Sequence, residues 1–148
     1  MCAALQRKAE LLKELLEKLA SESTKGVPIV VEGQKDIGAL RQLNVEGKIV
    51  SSKTSGKSFL DILTEIENLK VREVILLLDF DRRGVEWTHR LKQHLEKTRI
   101  KPNLTYWNEL YGLVGRDLKD IEGLPAFIET LANKTRNQQG EIKLSRKT

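Results

Sequence analysis

Two apolar runs in this sequence end in acidic residues. Residues 27–31 precede Glu32, and the leucines at residues 76–78 precede Asp79. Asp81 lies two positions further on, so it points to the same side as Asp79 if the chain stays extended there. Short apolar runs followed by helical periodicity are typical of buried parallel strands. We therefore expect the three carboxylates where two such strands end in loops.

Bringing three carboxylates together is unfavourable unless something positive balances them. At roughly 5 Å and an effective dielectric of about 20, each pair repels by about 3 kcal/mol. The sequence shows no evident buried lysine for this purpose, and its softer metal donors are one cysteine and two histidines. Carboxylate oxygens are the ligands that Mg²⁺ and Mn²⁺ prefer. The sequence therefore predicts Mg²⁺ (or Mn²⁺) bound at Glu32, Asp79 and Asp81.

Basic residues near these acids are candidates for binding the phosphates of a nucleic acid. They are Lys35, Lys53, Lys57, Arg82 and Arg83. A guanidinium group can grip a phosphate with two parallel hydrogen bonds, and two arginines follow the second acidic run directly. The alternative for such paired arginines is ordinary solvent exposure.

Asp36 follows Glu32 by four positions and has two interpretations. It is a further acid beside the metal, or it caps the helix that follows, for which aspartate is a favoured residue type. Gly33 suits either an ordinary strand-to-helix turn or a close approach of phosphate to the backbone.

Length and composition restrict the class of protein. A chain of 148 residues supports one hydrophobic core. A single cysteine, Cys2, excludes an internal disulfide framework and a cysteine-based zinc site. The apolar runs are too short to span a membrane, and the leucine-rich start is too charged for a signal peptide. We therefore expect a cytoplasmic protein with no membrane partner.

The net charge of +5 is distributed unevenly. Residues 133–148 carry Lys134, Arg136, Lys143, Arg146 and Lys147 against a single acid, while the rest of the chain is close to neutral. We expect a basic polar tail that is mobile or held by a partner such as a polyanion. The predicted organisation is an N-terminal helix and linker packed on the domain (residues 1–26), a domain (27–132) and this tail (133–148).

Helical and strand-like patterns alternate along the domain. The predicted strands cover residues 27–31, 48–51, 73–78 and 103–107, and the predicted helices cover residues 3–20, 36–43, 58–69 and 83–98. A last helix has Pro125 in its first turn. Alternation of this kind predicts an α/β fold, with an open parallel four-stranded sheet and helices on both faces.

Leucines of the first helix form one stripe. Packing into the core of the chain is the first interpretation. The second is a homodimer through this N-terminal helix, because Leu5, Leu12 and Leu19 keep a heptad spacing.

Glu-Gly-x-x-Asp at residues 32–36 and Asp-x-Asp at residues 79–81 together resemble the Toprim domain of topoisomerases, primases and certain ribonucleases. The resemblance covers roughly residues 27–131 and is nearest to the small stand-alone Toprim proteins of archaea. Gly84 resembles the turn glycine that follows the acidic pair in that family. The resemblance implies a Rossmann-like fold and Mg²⁺ held by acidic residues, with Glu32 as the catalytic residue acting as general acid or base, or as a ligand.

With a strand order of 2-1-3-4, strands one and three flank the point where the order reverses, and ligands bind at such points. A second segment, residues 115–122, should open at the same edge. Lys119 and Asp120 resemble the lysine-aspartate stretch of primase Toprim domains, which implies a phosphate-binding lysine and an additional acid. The alternative is the start of a capped helix.

Two functions are compatible with these patterns. The first is Mg²⁺-dependent, nuclease-type phosphoryl transfer on RNA or DNA, since topoisomerases and primases need further domains that 148 residues do not accommodate. The second is a non-catalytic module that binds RNA or docks on a ribonucleoprotein or other protein partner through the same edge.

Overall fold

The structure is a computed structural model and describes residues 2–53 and 56–140. Ten elements follow one another along the chain: α1 (Cys2–Thr24), β1 (Ile29–Val31), α2 (Gln34–Gln42), β2 (Ile49–Ser51), α3 (Phe59–Asn68), β3 (Glu73–Leu76), α4 (Arg82–Lys97), β4 (Lys101–Asn103), α5 (Thr105–Val114) and α6 (Leu124–Gly140). Within these ranges no helix combines the length and the apolar character that crossing a membrane requires.

The four strands form one parallel sheet in the order β2-β1-β3-β4. β1 is central: Val30 pairs with Val50 of β2 on one side and with Leu76 of β3 on the other. This arrangement confirms the predicted α/β fold class, the parallel sheet and the strand order 2-1-3-4.

Each face of the sheet packs against helices in a separate hydrophobic core. Ile29 and Val31 face the core formed with α1, α2, α5 and α6, whereas Val30 faces the core formed with α3 and α4. Successive strand residues point to opposite faces, so a strand buried on both sides must be apolar throughout. Layers of helices on both faces leave the strand ends as the accessible edges of the sheet.

The leucine stripe of α1 packs inside its own chain. Leu12, Leu15, Leu16 and Leu19 are all buried in the first core. The core-packing interpretation therefore describes this helix, because a dimer seam through Leu12 and Leu19 would require them on the surface.

The predicted linker at residues 21–26 is mostly helical, since α1 continues to Thr24. Ser23 is buried, and its Oγ accepts a hydrogen bond from the Gly47 N–H at 2.9 Å. A Cβ at Gly47 would lie 2.3 Å from the Ser23 carbonyl oxygen, so the last turn of α1 packs directly on the loop before β2.

The fourth strand was predicted too late in the sequence. β4 ends at Asn103, and α5 begins at Thr105, where the side chain of Asn103 accepts a hydrogen bond from the Thr105 N–H. Tyr106, Leu110 and Val114 are buried at a spacing of four residues, which is the period of a helix face. Aromatic residues have a high β propensity, but here they belong to this helix.

The predicted tail was also placed too early, since residue 133 lies within α6. Thr135 is buried, and its hydroxyl donates to the Leu131 carbonyl oxygen at 2.7 Å. The first two basic residues of the tail, Lys134 and Arg136, are exposed on this helix. The other three, Lys143, Arg146 and Lys147, lie outside the described residues.

Candidate functional site

The acidic residues meet at the carboxyl ends of β1 and β3, the two strands between which the order of the sheet reverses. Glu32 directly follows β1, and Asp79 lies three positions after Leu76, the last residue of β3. The Leu77 N–H donates to the Val30 carbonyl oxygen at 2.8 Å, which holds the two chain segments together beyond β3. An open parallel sheet presents its ligand crevice at this position.

Glu32 has one paired and one unpaired carboxylate oxygen. The residue is 8% exposed, and the Lys53 ammonium donates to its Oε2 at 2.8 Å. Its Oε1 is buried and has no hydrogen-bond partner within the part of the chain that the structure describes. The expectation that no lysine balances the acids was therefore wrong, because Lys53 on the loop after β2 does so for Glu32.

Asp79 lies among acids rather than beside a base. Burial, followed by the negative charges of Asp36 and Glu32, raises the pKa of Asp79 to about 7. The Ile121 N–H donates to its Oδ1 at 3.4 Å and opposes this shift, and the charge of Asp120 adds to it. The protonated form of Asp79 is therefore favoured over a wider range of pH than for an ordinary aspartate when no cation is bound.

Asp36 caps a helix and lies near other acids, and its place beside a metal stays a prediction. Its Oδ2 accepts a hydrogen bond from the Gly33 N–H at 2.9 Å, so it caps α2 from within the first turn, while Gly33 is the N-cap residue. Burial raises the pKa of Asp36 despite backbone hydrogen bonds, and the charges of Glu32 and Asp120 raise it further. Asp36 is thus a helix cap and also a member of the acidic group around Asp79.

Asp81 has a different environment. It is exposed at the N-terminus of α4, where its Oδ1 accepts a hydrogen bond from the Gly84 N–H at 2.8 Å. Across residues 2–53 and 56–140, no three carboxylate, histidine or cysteine side chains converge closely enough to hold a metal ion. The structure does not place Glu32, Asp79 and Asp81 as a ready ligand set, and their role as metal ligands stays a prediction.

Gly84 lies where the neighbouring atoms leave no room for a side chain. A Cβ at this position would lie 2.1 Å from the Asp79 carbonyl oxygen and 2.9 Å from Oε1 of Glu32. The start of α4 therefore packs directly on both acidic strand ends, which no residue with a side chain would allow without movement.

The predicted phosphate-binding residues differ in their partners. Lys57 donates to the Ser51 carbonyl oxygen at 2.9 Å and pairs with Glu65 at 2.7 Å. Arg82 is exposed and contacts Glu86 at 3.3 Å. Lys35 and Arg83 are exposed at the starts of α2 and α4. Lys53 alone among these bases is paired directly with a residue of the acidic group.

The segment between α5 and α6 closes the other side of the crevice. The Phe80 N–H donates to the Lys119 carbonyl oxygen at 2.7 Å. The Lys119 ammonium in turn donates to the Gly115 carbonyl oxygen at 2.8 Å, and Asp120 accepts from the Gly123 N–H at 2.8 Å. The structure thus brings Lys119 and Asp120 to the acidic residues, and Asp120 also makes the local capping contact of the alternative interpretation.

A cavity of about 440 Å³ lies elsewhere, between α1, the end of α2 and α6. None of the predicted site residues lines it. The predicted acidic and basic side chains that could bind a metal or transfer a proton lie at the strand ends and not in this apolar cavity.

Comparison with known proteins agrees with this geometry. A model of the Toprim domain matches residues 27–106. This chain belongs to the Toprim family. The Toprim protein is 32% identical over 130 residues to a UPF0292 protein of Methanosarcina acetivorans, and the match covers 88% of each chain.

A UPF0292 protein of Methanocaldococcus jannaschii is 35% identical to the Toprim protein over 120 residues, which is 80% of this chain and 91% of the relative. A solved structure of a protein from Aquifex aeolicus superimposes with a TM-score of 0.61 and 28% identity, covering 75% of this chain and 95% of that one. The relatives confirm the resemblance to small archaeal Toprim proteins. Toprim domains form a nucleic-acid-processing family that generally binds Mg²⁺ through acidic residues.

Proposed function

We propose that this Toprim protein is a Mg²⁺-dependent nuclease that catalyses phosphoryl transfer on RNA or DNA. The observation that carries the proposal is the state of Glu32, a buried carboxylate with one oxygen on Lys53 and the other unpaired. An unpaired buried carboxylate oxygen costs free energy, and its retention at a ligand crevice favours a functional role.

The residues present suit a hard divalent cation. Oε1 of Glu32 is available, Asp79 lies in an environment that disfavours its charged form, and Gly84 keeps the space between them free of a side chain. We assign Glu32, Asp79 and Asp81 as the residues that hold Mg²⁺. When bound, the ion neutralises phosphate charge and stabilises the charge that develops during phosphoryl transfer.

The chain's own groups supply the remaining steps. Glu32 accepts the proton from the reacting oxygen as a carboxylate, and after it has taken up a proton it can donate that proton to the leaving oxygen. Arg83 and Lys119 bind the phosphates on either side of the crevice, and Lys35, Lys57 and Arg82 extend this basic surface. Lys53 holds Glu32 in place until substrate phosphate competes for its ammonium group.

The test of catalysis compares wild type with Glu32→Gln, which keeps size and removes charge. We expect the variant to lose cleavage of structured RNA or single-stranded DNA while its affinity changes by no more than a few-fold, because an interaction used in the transition state affects rate more than ground-state binding. Stoichiometric protein with Mg²⁺ and Mn²⁺ in parallel provides the assay. Equal cleavage by the two proteins would show that the activity is contamination.

The test of metal binding is calorimetry. Wild type should bind Mg²⁺ or Mn²⁺ at millimolar concentration and gain thermal stability, and Asp79→Asn should bind more weakly. Asp81→Asn reports whether that residue leaves its capping position to serve as a ligand. An absence of any binding to the wild type would remove the premise of metal-dependent catalysis.

A non-catalytic RNA-binding or ribonucleoprotein-docking module is the second candidate. Lys53 already neutralises Glu32, and no three ligands converge within the described residues, so the edge can accept phosphates without a metal. This candidate predicts RNA affinity that is unchanged by chelation with EDTA and no turnover in any condition. The nuclease proposal predicts that cleavage requires the ion and stops when EDTA is added.

A further inference from the structure

Two aromatic rings stack at the end of the sheet that carries the acids. Trp107 and Tyr111 lie one turn apart on α5, with ring centroids 6.0 Å apart and an angle of 8° between the planes. The Trp107 ring is held in place because its indole N–H donates to the Leu78 carbonyl oxygen at 2.9 Å. Phe80 packs against both rings at 5.7 and 5.6 Å.

Tyr111 is unusual among the large apolar side chains of the protein because it is 50% exposed. The ring stacks on Trp107, and half of the Tyr111 side chain nevertheless remains accessible. Gly115, one further turn along, contacts the ring edge so closely that a Cβ there would lie 2.6 Å from Cδ1. The ring is therefore held in place by its neighbours while half of the side chain stays accessible.

This half-exposed ring lies next to the proposed reaction site. Phe80, which contacts Tyr111, stands between Asp79 and Asp81 in the sequence. The Lys119 ammonium donates a hydrogen bond to the carbonyl oxygen of Gly115, and Gly115 lies against the edge of the Tyr111 ring. A half-exposed aromatic ring, a nearby ammonium group and an acidic crevice match the base, the phosphate and the reacting centre of one nucleotide.

We propose that Tyr111 is the platform on which an unpaired nucleobase of the substrate strand stacks, with Lys119 contacting a phosphate of the same strand. The proposal rests on nucleic acid being the substrate but not on catalysis. Aromatic stacking binds any base, since every base has a π face, and a duplex offers none of its internal faces. The site therefore selects single-stranded or unpaired nucleotides over paired ones without reading their sequence.

Binding of a fluorescently labelled single strand, measured with EDTA and again with Mg²⁺ on the Glu32→Gln background so that no cleavage occurs, tests the platform. Tyr111→Leu keeps an apolar side chain and removes the π face, so the affinity should fall roughly five- to hundredfold. Tyr111→Phe and Tyr111→Trp should stay within about twofold of the parent, and affinity for a blunt duplex should not change. Leu60→Ala, at a side chain that is 69% exposed on α3, is the control and should have no effect.

A second readout is independent of affinity. In a Trp87→Phe background Trp107 is the remaining tryptophan, and stacking on Tyr111 should quench or shift its fluorescence with a normal strand. A strand of abasic sugars should bind more weakly and leave the spectrum unchanged.

The proposal is overturned if Tyr111→Leu and Tyr111→Phe lose affinity equally, if the abasic strand binds as well as the normal one, or if the wild type binds no nucleic acid. Unchanged single-strand affinity in Tyr111→Leu would also overturn the proposal and would favour a contact between this ring and a protein partner. A strand that binds through Tyr111 but is never cleaved by wild type would support the platform and exclude the nuclease.

Discussion

Glu32 and Asp79 both lie beyond the carboxyl ends of neighbouring strands, yet their surroundings differ. Glu32 has the Lys53 ammonium at 2.8 Å, whereas burial and the charges of Asp36 and Glu32 raise the pKa of Asp79 to about 7. Glu32 has a base from the loop after β2 beside it, whereas burial and then the neighbouring acids favour the protonated form of Asp79. Two residues of the same chemistry are thus given different tasks by what packs around them.

The strongest way to break this difference is to fill the space that both acids share. In Gly84→Ala the new Cβ would meet the Asp79 backbone at 2.1 Å and Oε1 of Glu32 at 2.9 Å. We expect the free energy of unfolding to fall by about 3 kcal/mol, at the upper end of what overpacking costs, and metal binding to be lost. Urea denaturation followed by circular dichroism measures the change.

Gly38→Ala is the matched control for that substitution. Gly38 is helical like Gly84, but it is exposed, and a Cβ there would meet nothing within 4 Å. This variant should be neutral or more stable by about 0.5 to 1 kcal/mol, as expected for alanine in a helix interior. A similar loss in both variants would show that helix effects, and not the acidic strand ends, explain the result at Gly84.

The second prediction concerns the proton on Asp79. Between pH 4 and 7 the folded metal-free protein keeps a proton that the unfolded chain has released, so stability should fall as the pH rises through this window and level off above it. Because Asp79 is only half-buried, we expect a fall of about 2 kcal/mol and not the full value of the shift.

Asp79→Asn should remove most of that fall, matching wild type near pH 4 and exceeding its stability at pH 8. Thermal unfolding at a series of pH values with EDTA provides the comparison. Identical slopes in the two proteins would place the titrating proton elsewhere, with Asp36 as the next residue to substitute because burial raises its pKa too.

The third prediction removes the base from Glu32. Lys53→Met should destabilise the protein by about 1 kcal/mol, since a largely buried carboxylate loses its cation while the pair itself is partly screened by solvent. In the Glu32→Gln background the same substitution should cost little. A double-mutant cycle by chemical denaturation gives the coupling energy, and Lys57→Met, whose partner Glu65 is more exposed, should show weaker coupling.

The smallest effect is expected at Arg82. Its side chain is 93% exposed and contacts Glu86 one turn away, so Arg82→Ala should change stability by less than about 0.5 kcal/mol. Nucleic-acid affinity should fall and depend less steeply on salt, because a phosphate contact is lost. An unchanged salt dependence would exclude Arg82 from the phosphate-binding surface and leave Arg83 and the lysines.

The first three strands could be predicted because pattern and burial agree there. Residues such as Val30 and Ile75 are buried on both faces of a parallel sheet, and an apolar run followed by helical periodicity has few other interpretations. At β4 that agreement fails, since the strand reads Lys-Pro-Asn and lies at the sheet edge. The more β-prone Tyr106 and Trp107 that follow belong to a helix, so local propensity pointed to the wrong residues.

The composition of the site could be predicted, but its pairings could not. The spacing predicts Glu32, Asp79 and Asp81 at strand ends. The fold instead groups Glu32 and Asp79 with Asp36 of α2, while Asp81 caps α4. The partner of Glu32 lies 21 residues away, and the residue that hydrogen-bonds Asp79 lies 42 residues away. Such contacts depend on how β2 and the segment before α6 are placed in space, and no local pattern in one sequence records that.

The same separations set the order in which a nascent chain completes this crevice. Lys53 leaves the ribosome 21 residues after Glu32, which takes about 1 to 4 s at typical rates of synthesis. Asp79 follows 47 residues after Glu32, and Ile121 another 42 residues later. Glu32 therefore meets its counter-ion before Asp79 is made, so β1 and β2 can pair before Asp79 adds its charge to those of Glu32 and Asp36.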